Sequence, residues 1–297
     1  MPEDPRESLR PPKLREQTAN EFLDQLRPDM PGAVSVEKMK VPDAKRCLVH
    51  IRQMRLPLHE RKLSKGEIEK NEKFEEMRKI QTNIYSILHY LSQSCGTKEV
   101  FMEGLTKHGE GQLDAVPGDL RQSRKEVRAN GRKLEEWKDR LQEIEKKLND
   151  PQHPLTEDMR EDLQFRADLC KVQMTGFERQ IEHEKMISTN IGAIIDNDFL
   201  AAGEFFKKER LKLRAAEDSD INMKAVDSMK QGNPNLDAIL GERENFALSQ
   251  CSQSKHPVSV MIFGGAHDWK GGIEKWNREH PEDKYSLVVI TPKAYKE

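Results

Sequence analysis

The stretch VSVMIFGGAHDW, Val258 to Trp269, constrains the fold more than any other part of this chain. An apolar run of strand length ends on two glycines, and a helix-like segment follows at once, which is how a βα unit reads. In α/β folds the loop after such a strand opens onto the ligand-binding edge of a parallel sheet, so His267 and Asp268 are expected there. A second apolar run, RCLVHIRQ, carries His50 near its end. Two strand-end histidines from distant parts of the chain predict one shared site.

The remaining periodicities extend this pattern. Met77, Ile80, Ile84, Ile87, Leu88 and Leu91 recur at steps of three and four, which predicts an amphipathic helix, with Gly96 just beyond as its C-cap. KEVFMEGL then reads as a strand, closing a strand–helix–strand unit with a right-handed connection. ISTNIGAIIDNDFLAAGEFF predicts a buried helix, Leu236 to Cys251 another, and Lys284 to Ile290 the last of four readable strands. Glu217 to Asn235 reads as a loop or short helix.

The middle of the chain differs in character. From Asp119 to Asn149, Arg, Lys, Glu and Gln dominate, while Leu134, Trp137, Leu141, Ile144 and Leu148 keep alternating three- and four-residue steps, the mark of a coiled-coil seam. NDPQHP interrupts it, and a second helical stretch from about Thr156 to Lys185 is expected to fold back on the first. The expected class is therefore α/β, a mainly parallel sheet with flanking helices and an inserted long antiparallel helical hairpin. The expected parts are an N-terminal polar arm over residues 1–44, a first part of the α/β domain over 45–116, the hairpin over 117–190, and a second part over 191–297.

Composition supports the insertion: 34% of residues are charged and only 35% hydrophobic, whereas globular domains are nearer a quarter charged. Long solvated helices account for the excess. With 50 basic against 52 acidic residues the net charge is −2, which argues against a general field for nucleic acid. The four cysteines lie dozens of residues apart, so they form no CxxC metal or redox pair. Without a leader-like run or an apolar stretch of 18 residues, the expected compartment is the cytoplasm.

Five residues stand out as site candidates: His50, Glu103 in VFMEGL, Arg243 and Glu244 in GEREN, and His267. A carboxylate inside an apolar strand is costly unless paired, so Glu103 calls for a partner. Arg243 is either that partner or a bidentate contact for an anionic substrate. His50, Glu103 and His267 together have the chemistry of a divalent metal site with an open water position. Without a metal, the same groups serve as general base and acid. Gly264 and Gly265 permit a sharp turn and free backbone N–H groups for an oxyanion or phosphate, and Asp268 suits a helix N-cap.

The ordered set LVHIRQ, VFMEGL, GEREN and FGGAHD, spread over residues 45 to 291, resembles the superfamily that includes TraB and PrgY, the Tiki proteases, the haem-binding lipoprotein ChaN and the erythromycin esterases. The first motif departs from the Gly-x-x-His form, having Cys47-Leu48-Val49-His50. The resemblance implies an α/β scaffold with its site at His50, Glu103, Arg243, Glu244 and His267. Since that superfamily holds metal-dependent peptidases, metal-independent esterases and haem binders, three functions are expected to compete. The first is a hydrolase, peptidase- or esterase-like, that activates water at the composite site with or without a divalent metal. The second is a haem or other cofactor binder with a histidine as axial ligand. The third is a non-catalytic interaction protein whose hairpin packs internally or pairs with another copy in a homo-oligomer.

Overall fold

The computed structural model describes residues 18–54, 72–208, 210–231, 236–265, 267 and 269–296. The elements run α1 (Ala19–Gln25), β1 (Ala33–Met39), β2 (Arg46–Gln53), α2 (Glu72–Ser94), β3 (Glu99–Thr106), α3 (Lys107–Leu113), α4 (Val116–Leu148), α5 (Glu157–Lys207), β4 (Lys212–Glu217), α6 (Ser219–Gln231), α7 (Leu236–Ser252), β5 (Val258–Gly264), α8 (Trp269–Glu279) and β6 (Tyr285–Pro292). The six strands form one sheet in the order β1-β6-β2-β5-β3-β4. Only β1, on the edge, is antiparallel to its neighbour; every other pairing is parallel. The mixed α/β class with a mainly parallel sheet and flanking helices is thus observed.

Two strands exceed the four readable ones. β1 lies within residues expected to form a polar arm, and α1 precedes it with a capping box between Thr18 and Glu21. An edge strand needs only one apolar face, so its Ser, Glu and Lys residues hid it in a charged context. β4, KLRAAE, has no β-branched residue, yet its last four positions include three buried ones, Ala215, Ala216 and Glu217. Its neighbours supply what its own propensity does not.

The chain divides into two compact units, residues 1–113 with 198–297, and residues 114–197. In the first unit, α2 buries Ile80, Ile84, Ile87, Leu88 and Leu91. It ends as expected: Gly96 takes the left-handed φ of 67°, and Cys95 and Thr97 N–H both donate to Leu91 O, at 3.1 and 3.2 Å. Another core cluster joins Leu48, Phe101, Met261, Phe263 and Leu287 of the sheet to Ala247, Leu248 and Cys251 of α7 and Trp269 and Ile273 of α8. Cys47, Cys170 and Cys251 are buried, and all four cysteines are free.

In the second unit α4 and α5 run in opposite senses. Ser123 Oγ donates to Glu184 O at 3.0 Å, whereas Lys133, further along α4, lies over the ring of Phe177, earlier in α5. Leu120, Ser123, Asn130 and Leu134 form the buried stripe of α4 and Ala167 and Cys170 that of α5. The expected separate helix after Lys185 is instead a continuation of α5, broken where Leu200 adopts φ 49° and ψ −123°. Beyond that break Ala201 N–H donates to Gln81 Oε1 at 3.2 Å, and Phe205 packs on Tyr85 with ring centroids 4.7 Å apart. Among the described residues, no helix is long and apolar enough to cross a membrane.

Candidate functional site

The strand order itself marks a crevice. From β2 the chain crosses by α2 past β5 to β3, while from β5 it crosses by α8 past β2 to β6. Adjacent strands whose connections leave in opposite directions open a crevice at their C-terminal ends. Here those ends are Gln53 and Gly264, which are register partners. Gly265 N–H donates to Gln53 O at 3.2 Å and closes the floor between the two strands.

Glu103 enters the crevice from β3. Its pairing to β5 ends at Met102, the register to β4 shifts between Met102 and Thr106, and Gly104 takes φ 80°. This bulge releases the strand just where the carboxylate is needed. Gln53 Nε2 donates to Glu103 Oε2 at 3.1 Å, and Arg243 Nη2 lies 3.5 Å from Oε1. Arg243 also donates to Glu217 of β4, and its guanidinium sits 5.4 Å from the centre of the Phe263 ring. Both Arg243 and Glu217 are buried. The expectation that Glu103 requires a cation is met by Arg243, and Glu217 is a second carboxylate on that same cation.

The neighbouring residue on α7 serves the other histidine. Glu244 Oε1 accepts from His267 Nδ1 at 2.9 Å, with both side chains about nine-tenths buried. A carboxylate only accepts, so Nδ1 carries the proton of this bond, and in the neutral ring Nε2 keeps its lone pair. The ring is held edge-on to Phe263 at 4.7 Å and beside Trp269 at 6.0 Å. His267 Cδ2 and both Glu103 oxygens lie 3.6 to 3.7 Å from where a Cβ on Gly264 would sit. The imidazole and the carboxylate thus both border the space that a side chain on Gly264 would take. Asp268, read as a helix cap, lies outside the described residues.

His50 has a different position. It is 1% exposed, its Nε2 is 3.2 Å from Phe263 O, and its ring lies 5.7 Å from that of Trp269. Burial pulls its pKa down to about 3, opposed by the Phe263 carbonyl, with the nearby His267 adding to the fall. This is a neutral core histidine tied to the next strand.

A converged trio of His50, Glu103 and His267 is not seen among the described residues: no three His, Cys, Asp or Glu side chains there converge as a ligand set. His50 Nε2 faces the Phe263 carbonyl, His267 Nδ1 is bonded to Glu244, and Glu103 is engaged by Gln53 and Arg243. The donors are present in one region, but a metal does not fit the way they are used.

Several contributors were not foreseen. Gln53, Glu217 and Trp269 all touch the predicted residues, and Tyr295 places its phenol against Gly265, where a Cβ would collide with it. Gln53 had a signal, lying three residues beyond His50 at the strand end; Glu217 had none, because the strand carrying it was unread, and Tyr295 none, because it lies in the short segment after the last strand. Among the described residues, Arg243 Nε and Trp269 Nε1 are buried without a hydrogen-bond partner. Two such donors around Phe263 call for an oxygen acceptor. A cleft of about 360 Å³ between α7 and α8 reaches Glu244, lined by Gly241, Asn245, Gly271, Gly272 and Lys275 among others.

Fold and site together define an α/β protein with a cluster of bonded polar side chains at the switch point of its sheet. Compared with protein-family models, curated proteins and solved structures, the chain has no significant match.

Proposed function

We propose that the α/β unit is a hydrolase that activates water at His267 without a metal. The observation that carries this reading is the 2.9 Å bond from His267 Nδ1 to Glu244. It fixes the tautomer whose Nε2 can take a proton, and it would stabilise the imidazolium formed when water is deprotonated. Arg243, held by Glu217 and Glu103, would contribute positive charge near where an oxyanion develops. Glu103, near the imidazole at Gly264, would accept a hydrogen bond from the water and orient it, and the proton taken up by His267 would pass to the leaving group.

The meeting of all four motifs in one crevice supports the resemblance to the TraB, Tiki, ChaN and erythromycin esterase superfamily, and within it the metal-independent, esterase-like chemistry. His50 then acts by holding the strand carrying Phe263, rather than as a ligand or base. The haem alternative finds less support, since the Nε2 of His50 faces a carbonyl and the Nδ1 of His267 a carboxylate.

The test is a screen of activated esters and short peptides with the full chain, with and without chelator, and with His267→Gln. Hydrolysis that survives chelation and falls at least about 100-fold in His267→Gln supports the proposal. Hydrolysis abolished by chelator and restored by a divalent metal would contradict it, as would a fully active His267→Gln.

A further inference from the structure

The outer face of α5 carries an apolar stripe that nothing in its own unit covers. Phe165, Leu169, Val172 and Gly176 follow at steps of four, three and four, on the side of the helix opposite the buried Ala167 and Cys170. Phe165 is 69% exposed, Leu169 44% and Val172 66%, although α5 already buries its other face against α4. A helix apolar on two faces has a second packing partner to satisfy.

The charges beside the stripe select that partner. Asp158, Glu161 and Asp162 flank its N-terminal end, while Arg179 and His183 flank its C-terminal end. We propose that the stripe is the interface of an antiparallel homodimer, α5 against α5 of a second copy, with its two-fold axis between Leu169 and Val172. In that register Leu169 meets Val172, Asp162 meets Arg179 and Asp158 meets His183, each pair occurring twice by symmetry. Phe165 falls opposite Gly176, where a Cβ would meet nothing within 4 Å, so the aromatic knob has an open hole. A parallel pairing would stack the acidic turns on each other and the basic ones likewise. The self-complementarity exists only in the antiparallel arrangement.

Sedimentation of the full chain at tens of micromolar tests this, with circular dichroism as the folding control. The expected mass is twice the 34.4 kDa of one chain, and Val172→Glu, at an exposed position, is expected to give folded monomer. Arg179→Glu should weaken the dimer about tenfold or more, and adding Asp162→Arg should recover most of that loss, because the swapped charges face each other again. A wild type that stays monomeric overturns the proposal. So does a dimer that Val172→Glu leaves intact, or an Arg179→Glu defect that Asp162→Arg fails to relieve.

Discussion

At the switch point, Arg243, Glu217 and Glu244 are buried, His267 is partly so, and each is bonded to another of the set or to Glu103. On the long helices, by contrast, Arg166 pairs with Asp162 and Lys171 with Asp168 along α5, with every one of these side chains more than half exposed. The same residue types thus meet two physical situations. Charges in water lose little when a partner is removed, whereas a buried charge without its partner must bear its full desolvation. A chain that is one-third charged consequently concentrates the consequences of charge in one small place.

The strongest way to break this contrast is Arg243→Ala. It strands Glu217 and removes the cation beside Glu103, so unfolding in urea should show a loss of about 3–5 kcal/mol. A loss below 1 kcal/mol would mean that the crevice charges are no different from those on the helices.

Acid should come next. The unfolded chain protonates His50 near its ordinary value of 6.5, while the buried imidazole resists until about 3. Stability attributable to His50 is therefore complete above 6.5 and declines as pH falls through that window, by about 1.4 kcal/mol per unit. His50→Gln is expected to flatten this part of the pH–stability curve; an unchanged slope would show that the histidine titrates normally.

Gly265→Ala tests the turn. The added methyl collides with the Tyr295 phenol, so a cost of about 1–3 kcal/mol is expected. Tyr295→Ala in the same chain should restore part of it, and its failure to do so would place the strain elsewhere. At the small end, Arg166→Ala on α5 should change stability by less than about 0.5 kcal/mol.

Legibility in the sequence followed the same division. Buried parallel strands announce themselves as apolar runs, so RCLVHIRQ, VFMEGL, VSVMIFG and the final strand could be read without tertiary knowledge. The strand-end rule then brought Glu103 and His267 to one edge, whereas β2 runs on to Gln53 and leaves His50 inside the sheet. It could not distinguish their roles, because whether a histidine nitrogen meets a carbonyl or a carboxylate depends on partners far away in the chain. Glu244 was legible only as half of a motif, and Glu217 was hidden in a strand of weak propensity. The helix break at Leu200 also lacked a signal, since neither glycine nor proline stands there.

The central claim concerns the state of one imidazole, and nitrogen NMR of His267 tests it most directly. With the ring neutral, the account predicts a proton on Nδ1 and a bare Nε2, with that preference weakened in Glu244→Gln. A His267 found in the Nε2–H tautomer, or one indifferent to Glu244→Gln, would contradict it.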